Sequence, residues 1–196
     1  DNGATVDNIL VTEESTDPLI TVGSAITGLD YDSGYGPSTS QSTTVSGANL
    51  TANIVLSAPT NFEISSDNLS FSSSVSLSPS SGTVSSTTIY ARLKSGVSVN
   101  NYSGNITCTS TGAVNKTIAL SGDVNQVYYV STTGNNSNNG LSWGNAFLTL
   151  TQAISSAVAG SAIYISEGTF SNDAEITINK SLTIKGQSRE ETIFDG

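Results

Sequence analysis

Histidine is absent from the 196-residue chain, which removes the commonest general base and a leading metal ligand together. Ser-His-Asp, Cys-His and His-ligated metal sites are therefore excluded. A Ser-Lys pair would need a buried lysine, whereas Lys94, Lys116 and Lys180 fall at polar positions of strands or turns. Two adjacent acid pairs, Glu13-Glu14 and Glu190-Glu191, raise carboxylate chemistry of the glycosidase kind. Both lie in linker or turn sequence, where solvated charge is the simpler reading. The best-formed oxygen-ligand segment is Asp30-Tyr31-Asp32-Ser33-Gly34, in which Asp30 and Asp32 are the candidate calcium ligands. No glutamate follows at the distance an EF-hand requires, and the same residues read as a turn. Asn135 to Asn139, and Asp173 with Glu175, offer further oxygens without a specific pattern. Calcium is thus the one cofactor the sequence raises. Tyr31, Tyr35, Tyr128 and Tyr129 are candidates for a sugar-stacking platform or for core and rim packing. Cys108 alternates with Ile106 and reads as a buried, small apolar side chain.

The composition narrows the partners. Sixteen acidic residues against six basic ones give a net charge of −10. That charge opposes nucleic acid phosphates, and no Lys/Arg patch offsets it. It equally opposes anionic lipid surfaces. With 36% hydrophobic and only 11% charged residues, the chain is too apolar for disorder and matches turn-rich all-β proteins. One cysteine excludes an internal disulfide framework. No apolar run reaches the length of a membrane span. The absence of an initial Met and of a basic-then-apolar leader leads us to expect a mature or excised piece.

The elements that must position these groups follow from periodicity. Residues 1–18 hold one strand pattern (Ala4, Val6, Ile9, Val11) and then a polar linker ending at Asp17-Pro18, too little for a domain. Residues 19–124 alternate as seven or eight short strands. Leu50, Ala52, Ile54 and Leu56 share a face, as do Ile89, Ala91 and Leu93, with Tyr90, Arg92 and Lys94 opposite. Phe62/Ile64, Phe71/Val75/Leu77, Ile106/Cys108 and Ile118/Leu120 continue the pattern. Without a helical period to supply crossovers, an antiparallel sandwich is expected. In residues 125–196 a strand near Val127 and Tyr129 precedes the polar loop Gly134–Gly140 and the only tryptophan, Trp143. Phe147, Leu150, Ala153, Ile154, Ala157 and Val158 then fall at helical spacing. Thr149 and Gln152 have the spacing of a capping box and Gly160 that of the residue after the helix. Apolar alternation returns in Ile163/Ile165, Ile176/Ile178, Leu182/Ile184 and Ile193. The "IYI" and "LTI" strands are about one coil of a parallel β-helix apart, for repeats of roughly 20 or more residues.

Three stretches resemble known families. "VDNILV" is similar to the last strand of the jelly-roll modules that bind carbohydrate in secreted bacterial enzymes. "GYGPSTSQSTTVSGANLTANIVLSAPTNFEISSDNLSFSSSVSLSPSSGTVSSTTIYARLK", followed by "YSGNITCTSTGAVNKTIALSGDV", resembles the immunoglobulin-like repeat of large secreted bacterial proteins, commonly exported by type IX secretion. "YYVSTTGNNSNNGLSWGNAFLTLTQAISSAVAGSAIYISEGTF", with "ITINKSLTIKGQ", resembles the entry into right-handed parallel β-helices of the pectate-lyase type. Ser161 stands where that pattern carries an acidic residue. The resemblances imply an all-β chain: a trailing strand and linker (1–18), an immunoglobulin-like antiparallel sandwich (19–124), and the capped first coils of a β-helix with one short α-helix (125–196). Because the open end of a solenoid exposes core and strand edges, Trp143 and Phe147 are expected to cover it.

The function these resemblances imply is a non-catalytic spacer, adhesin or fibre module of a large extracellular or cell-surface protein. Its partners would be neighbouring modules of the same polypeptide and surface polysaccharide or glycans. The alternatives are a carbohydrate-binding module, or the leading part of a polysaccharide-degrading lyase whose active residues would follow Gly196.

Overall fold

A computed structural model describes residues 15–171 and 176–195. The strand expected at Ala4–Val11, the Glu13-Glu14 pair and the Asp173/Glu175 oxygens lie outside them. Over the described residues the chain is all-β with one short α-helix. Strands β1 (Leu19–Val22), β2 (Tyr31–Asp32), β3 (Gln41–Ala48), β4 (Ile54–Ser57), β5 (Phe62–Ser65), β6 (Ser74–Leu77), β7 (Val84–Leu93), β8 (Asn100–Thr109) and β9 (Lys116–Asn125) form two sheets, ordered β1-β3-β7-β5 and β2-β9-β8-β4-β6. Alternate side chains of both sheets merge in one core. Val45, Ile64, Ile89 and Leu93 come from the first sheet, and Ile54, Leu56, Ile106 and Ile118 from the second. The period-two pattern thus located the buried faces, because successive strand residues point to opposite sides. Phe71 departs from it. It lies half-buried at the surface beneath the Arg92 guanidinium, 3.7 Å from its ring centre, and Arg92 also pairs with Glu63 at 2.7 Å.

The expected antiparallel order holds except at one seam. β2 runs parallel to β9, with Tyr31 opposite Val124 and Asp32 opposite Asn125. The chain leaves the first sheet after β1 and crosses to the second, and Ile26 bridges Leu120 in parallel on the way. Parallel neighbours need a long connection, and here the intervening strands supply it. Gly122 makes the close passage possible, because a Cβ there would lie 2.2 Å from the Leu29 carbonyl oxygen.

After Gln126 the pairing changes character. β10 (Val127–Val130), β11 (Ala162–Ile165) and β13 (Thr183–Gly186) stack in parallel. β12 (Gly168–Phe170) and β14 (Thr192–Phe194) do the same. A second core of Val130, Phe147, Leu150, Ile154, Ile163 and Phe170 lies among these strands and helix α1 (Leu150–Ser156). Phe170 also stacks on Phe194 at 5.2 Å.

One edge of this stack is closed by backbone. Tyr129 N donates to Gly140 O, Phe147 N to Tyr129 O, and Ser131 N to Phe147 O, so the returning segment pairs with the strand edge that would otherwise face solvent. The Gly134–Gly140 loop folds tightly over Phe147. A Cβ at Gly140, whose φ is +72°, would meet the Phe147 ring at 2.2 Å. The opposite edge, β13, is exposed along its length, and Ile193 and Phe194 of β14 are exposed beside it.

Helix α1 begins at Thr149, whose hydroxyl accepts from Gln152 N as the capping-box spacing requires. The reciprocal half differs. The Gln152 side chain turns to Ser156, and Asn136 Oδ1 accepts from Thr149 N and Leu148 N in its place. The helix stops at Ser156, earlier than the apolar spacing suggests, and Val158 is 64% exposed, outside the core. Gly160 is not the residue that ends it. With φ +88° it forms a later turn, its N–H donating to Ser181 O. The helix's last carbonyls are met from elsewhere, Ile154 O and Ala157 O by Lys180 Nζ and Ser156 O by the Tyr128 hydroxyl. Side chains therefore replace a glycine cap.

Candidate functional site at the junction

The parallel register places Tyr129, Tyr164 and Lys185 in one column across β10, β11 and β13. In β11 the flanking Ile163 and Ile165 point into the core, so Tyr164 must face outward, toward the two-sheet unit. There it meets Asp32, at the end of β2. Tyr164 Oη donates to Asp32 Oδ2 at 2.8 Å, Lys185 Nζ reaches the same oxygen at 2.8 Å, and Asn125 Nδ2 approaches Oδ1 at 3.4 Å. Lys185 Nζ also lies 3.2 Å from the Tyr164 hydroxyl and 5.1 Å from its ring centre. One carboxylate thus joins the two cores.

The electrostatics follow from these contacts. Burial pushes the Asp32 carboxyl upward, but the Lys185 and Tyr164 hydrogen bonds outweigh it and leave it below the usual range. The Asp32 contact raises Lys185. Burial and the Tyr35 hydroxyl push Tyr129 up to about 12. At neutral pH the node is a carboxylate held by an ammonium and a neutral phenol.

A row of rings continues from the node. Tyr35 lies 4.9 Å from Tyr164, Tyr164 lies 6.0 Å from Tyr129, and Tyr129 lies 4.7 Å from Trp143, which meets it edge-on at 62°. Trp143, on a single 3₁₀ turn (Trp143–Asn145), is 37% exposed, and Tyr35 is 53% exposed. The reading of Trp143 as a lid over the core is corrected here. Phe147 and the loop above it supply that cover, and Trp143 extends the outer aromatic row.

The other residues singled out from sequence divide clearly. Asp30 and Asp32 do not act together, since Asp30 accepts from the Asp123 N–H while Asp32 is neutralised by Lys185. Among the described residues no group of three or more His, Cys, Asp or Glu side chains converges as a metal would need. Of the four tyrosines, Tyr35 and Tyr129 reach the junction. Tyr31 is buried with its hydroxyl on Lys94 O, and Tyr128 packs against Phe147. Cys108 is fully buried, which pushes its thiol up to about 11. Glu191 comes beside Glu167 rather than acting with Glu190, and raises its carboxyl.

Tyr164, Lys185 and Asn125 were not anticipated. Tyr164 was legible as the outward residue of "IYI", but its neighbours depend on inter-strand register. Among the described residues no helix is long and apolar enough to cross a membrane. Comparison with known family models and with curated protein sequences finds no match to this chain.

Proposed function

We propose that this chain is a non-catalytic, rigid connecting module of a larger extracellular surface protein. In this reading residues 19–124 are an immunoglobulin-like sandwich and residues 125–196 are the capped first coils of a right-handed parallel β-helix. Two facing sheets around one core support the first assignment, and the in-register parallel ladders support the second. The open β13 edge and the exposed Ile193 and Phe194 suit stacking of a further coil. Low charge and abundant short polar side chains suit an exported rod.

The observation that carries the reading is the Asp32 node. A module that only tethers its neighbours needs a flexible linker, as inter-domain motion is the default. Here a half-buried carboxylate from one unit is held by two side chains of the other. The wild-type chain is expected to melt in one cooperative transition, and Asp32→Ala to split it in two and widen the particle's maximum dimension in small-angle scattering. Two independent transitions already present in the wild type would overturn the reading.

A further inference from the structure

We infer that the row Tyr35–Tyr164–Tyr129–Trp143 is a contact surface for the flat face of an extended, neutral polysaccharide. The inference deepens the surface-module reading and rests on it for the junction geometry that aligns the rings.

Both hydrophobic cores close without Trp143 or Tyr35. Nothing in the packing therefore requires the chain's only tryptophan and a tyrosine to remain at the surface, 37% and 53% exposed. Two exposed rings joined through two half-buried ones are the informative departure from an ordinary surface. These four are held in sequence, with centre separations of 4.9, 6.0 and 4.7 Å and successive tilts of 46°, 36° and 62°, so each offers part of a face along a stepped row. Strand register aligns Tyr129 with Tyr164, and turns at either end bring in Tyr35 and Trp143.

The chemistry of the row selects its occupant. A pyranose ring carries an apolar C–H face and a rim of hydroxyls. Aromatic faces match the first, while Asp32, Lys185 and the Tyr164 hydroxyl, already bonded to one another, hold the rings in place. Nucleobases also stack on rings, but they arrive on a phosphate chain that needs a positive groove. This chain carries net charge −10 and its nearby cation, Lys185, is already paired. The same argument disfavours an anionic polysaccharide. The row is bordered by the polar Asn/Ser loop 134–140. An open row suits successive sugars of a polymer, with modest affinity at one site multiplied by repetition.

The test uses the intact chain. Because Trp143 is the sole tryptophan, its emission reports contact directly. Titration with soluble hydroxyethylcellulose and xylan is expected to shift or quench that emission, and native gels containing these polymers to retard the protein. Polygalacturonate should do neither. Tyr35→Ala is expected to weaken retention about tenfold, in keeping with one aromatic contact, without altering far-ultraviolet dichroism. Trp143→Ala should abolish retention. Leu69→Ala and Val114→Ala, at exposed apolar sites elsewhere, should match the wild type. Absence of any response to the neutral polymers, equal retention of the Tyr35 variant, or preference for polygalacturonate would each overturn the proposal. Failure of the rigid-module reading shows instead in melting and scattering, so the two are separable.

Discussion

Single side chains in this protein gain their character from what surrounds them more than from their type. Ser161 illustrates this. It is buried, and its hydroxyl meets no hydrogen-bond partner among the described residues. Leaving such a group unpaired costs about 1–3 kcal/mol. Ser161→Ala is therefore expected to leave stability unchanged or to raise it by about 1 kcal/mol in denaturant melts; a loss of similar size would mean the hydroxyl is satisfied. Cys108 gives a second case. Burial holds its thiol near 11, so alkylation by iodoacetamide near neutral pH should proceed only as the chain unfolds. Rapid labelling of the native protein would contradict that assignment. The alternation of Ile106 and Cys108 made this residue legible in advance, whereas the Ser161 hydroxyl was not, because its fate depends on neighbours distant in sequence.

At the scale of elements, helix α1 is too short to hold itself together, since isolated helices below about 12 residues are marginal in water. Its ends are fixed from outside by Asn136, Lys180 and Tyr128. The asymmetry of the N-terminal cap yields an ordered mutation series. Thr149→Ala should cost about 1 kcal/mol, the usual value for a lost N-cap. Asn136→Ala should cost at least as much, because its amide oxygen accepts two otherwise orphaned N–H groups. Gln152→Ala should be near neutral, because its side chain does not complete the capping box. Chemical denaturation of the three variants checks the order, and a large loss in the Gln152 variant would reverse it. The spacing of Thr149 and Gln152 fixed the helix start correctly. Its end was misplaced because Lys180, which meets the Ile154 and Ala157 carbonyls, lies beyond two further strands.

For the whole molecule, the decisive feature is that two cores share one ionic node. The sign of its pH dependence follows from the two shifts. Asp32 has a lowered folded value, so its contribution is present above about pH 4, the unfolded carboxylate range, and is lost as pH falls through the folded value. Lys185 has a raised value, so its contribution is present below about pH 10 and is lost as pH rises through the folded value. Coupling between the units should therefore be flat across neutral pH and fail first in acid. Calorimetric scans from about pH 7 down to about pH 2 should show one transition becoming two as the pH falls below the ordinary carboxylate range. Asp32→Asn should show the split already at pH 7, and coupling that persists unchanged in acid would exclude the node as its source. Because Lys185 is about half exposed, the ion pair itself adds little; the half-buried hydrogen bond from Tyr164 is the larger part.

The sequence alone determined the buried faces of strands such as Ile54–Ser57, Phe62–Ser65 and Ala162–Ile165, where the helix starts, and that no histidine-based chemistry operates in this chain. These are local properties, written in a period of two or in the spacing of a cap. It missed the strands at Leu19–Val22, Tyr31–Asp32 and Gln41–Ala48, and its alternation at Ile176/Ile178 forms no strand. Only the tertiary structure decided that β2 lies parallel to β9, that the glycines of the 134–140 loop fold it onto Phe147, and that Trp143 faces outward. It alone joined Tyr164 and Lys185 to Asp32, 132 and 153 residues away. Alternation specifies a face but not a partner. In parallel strands linked by long connections, the partner is set by the register of the entire stack.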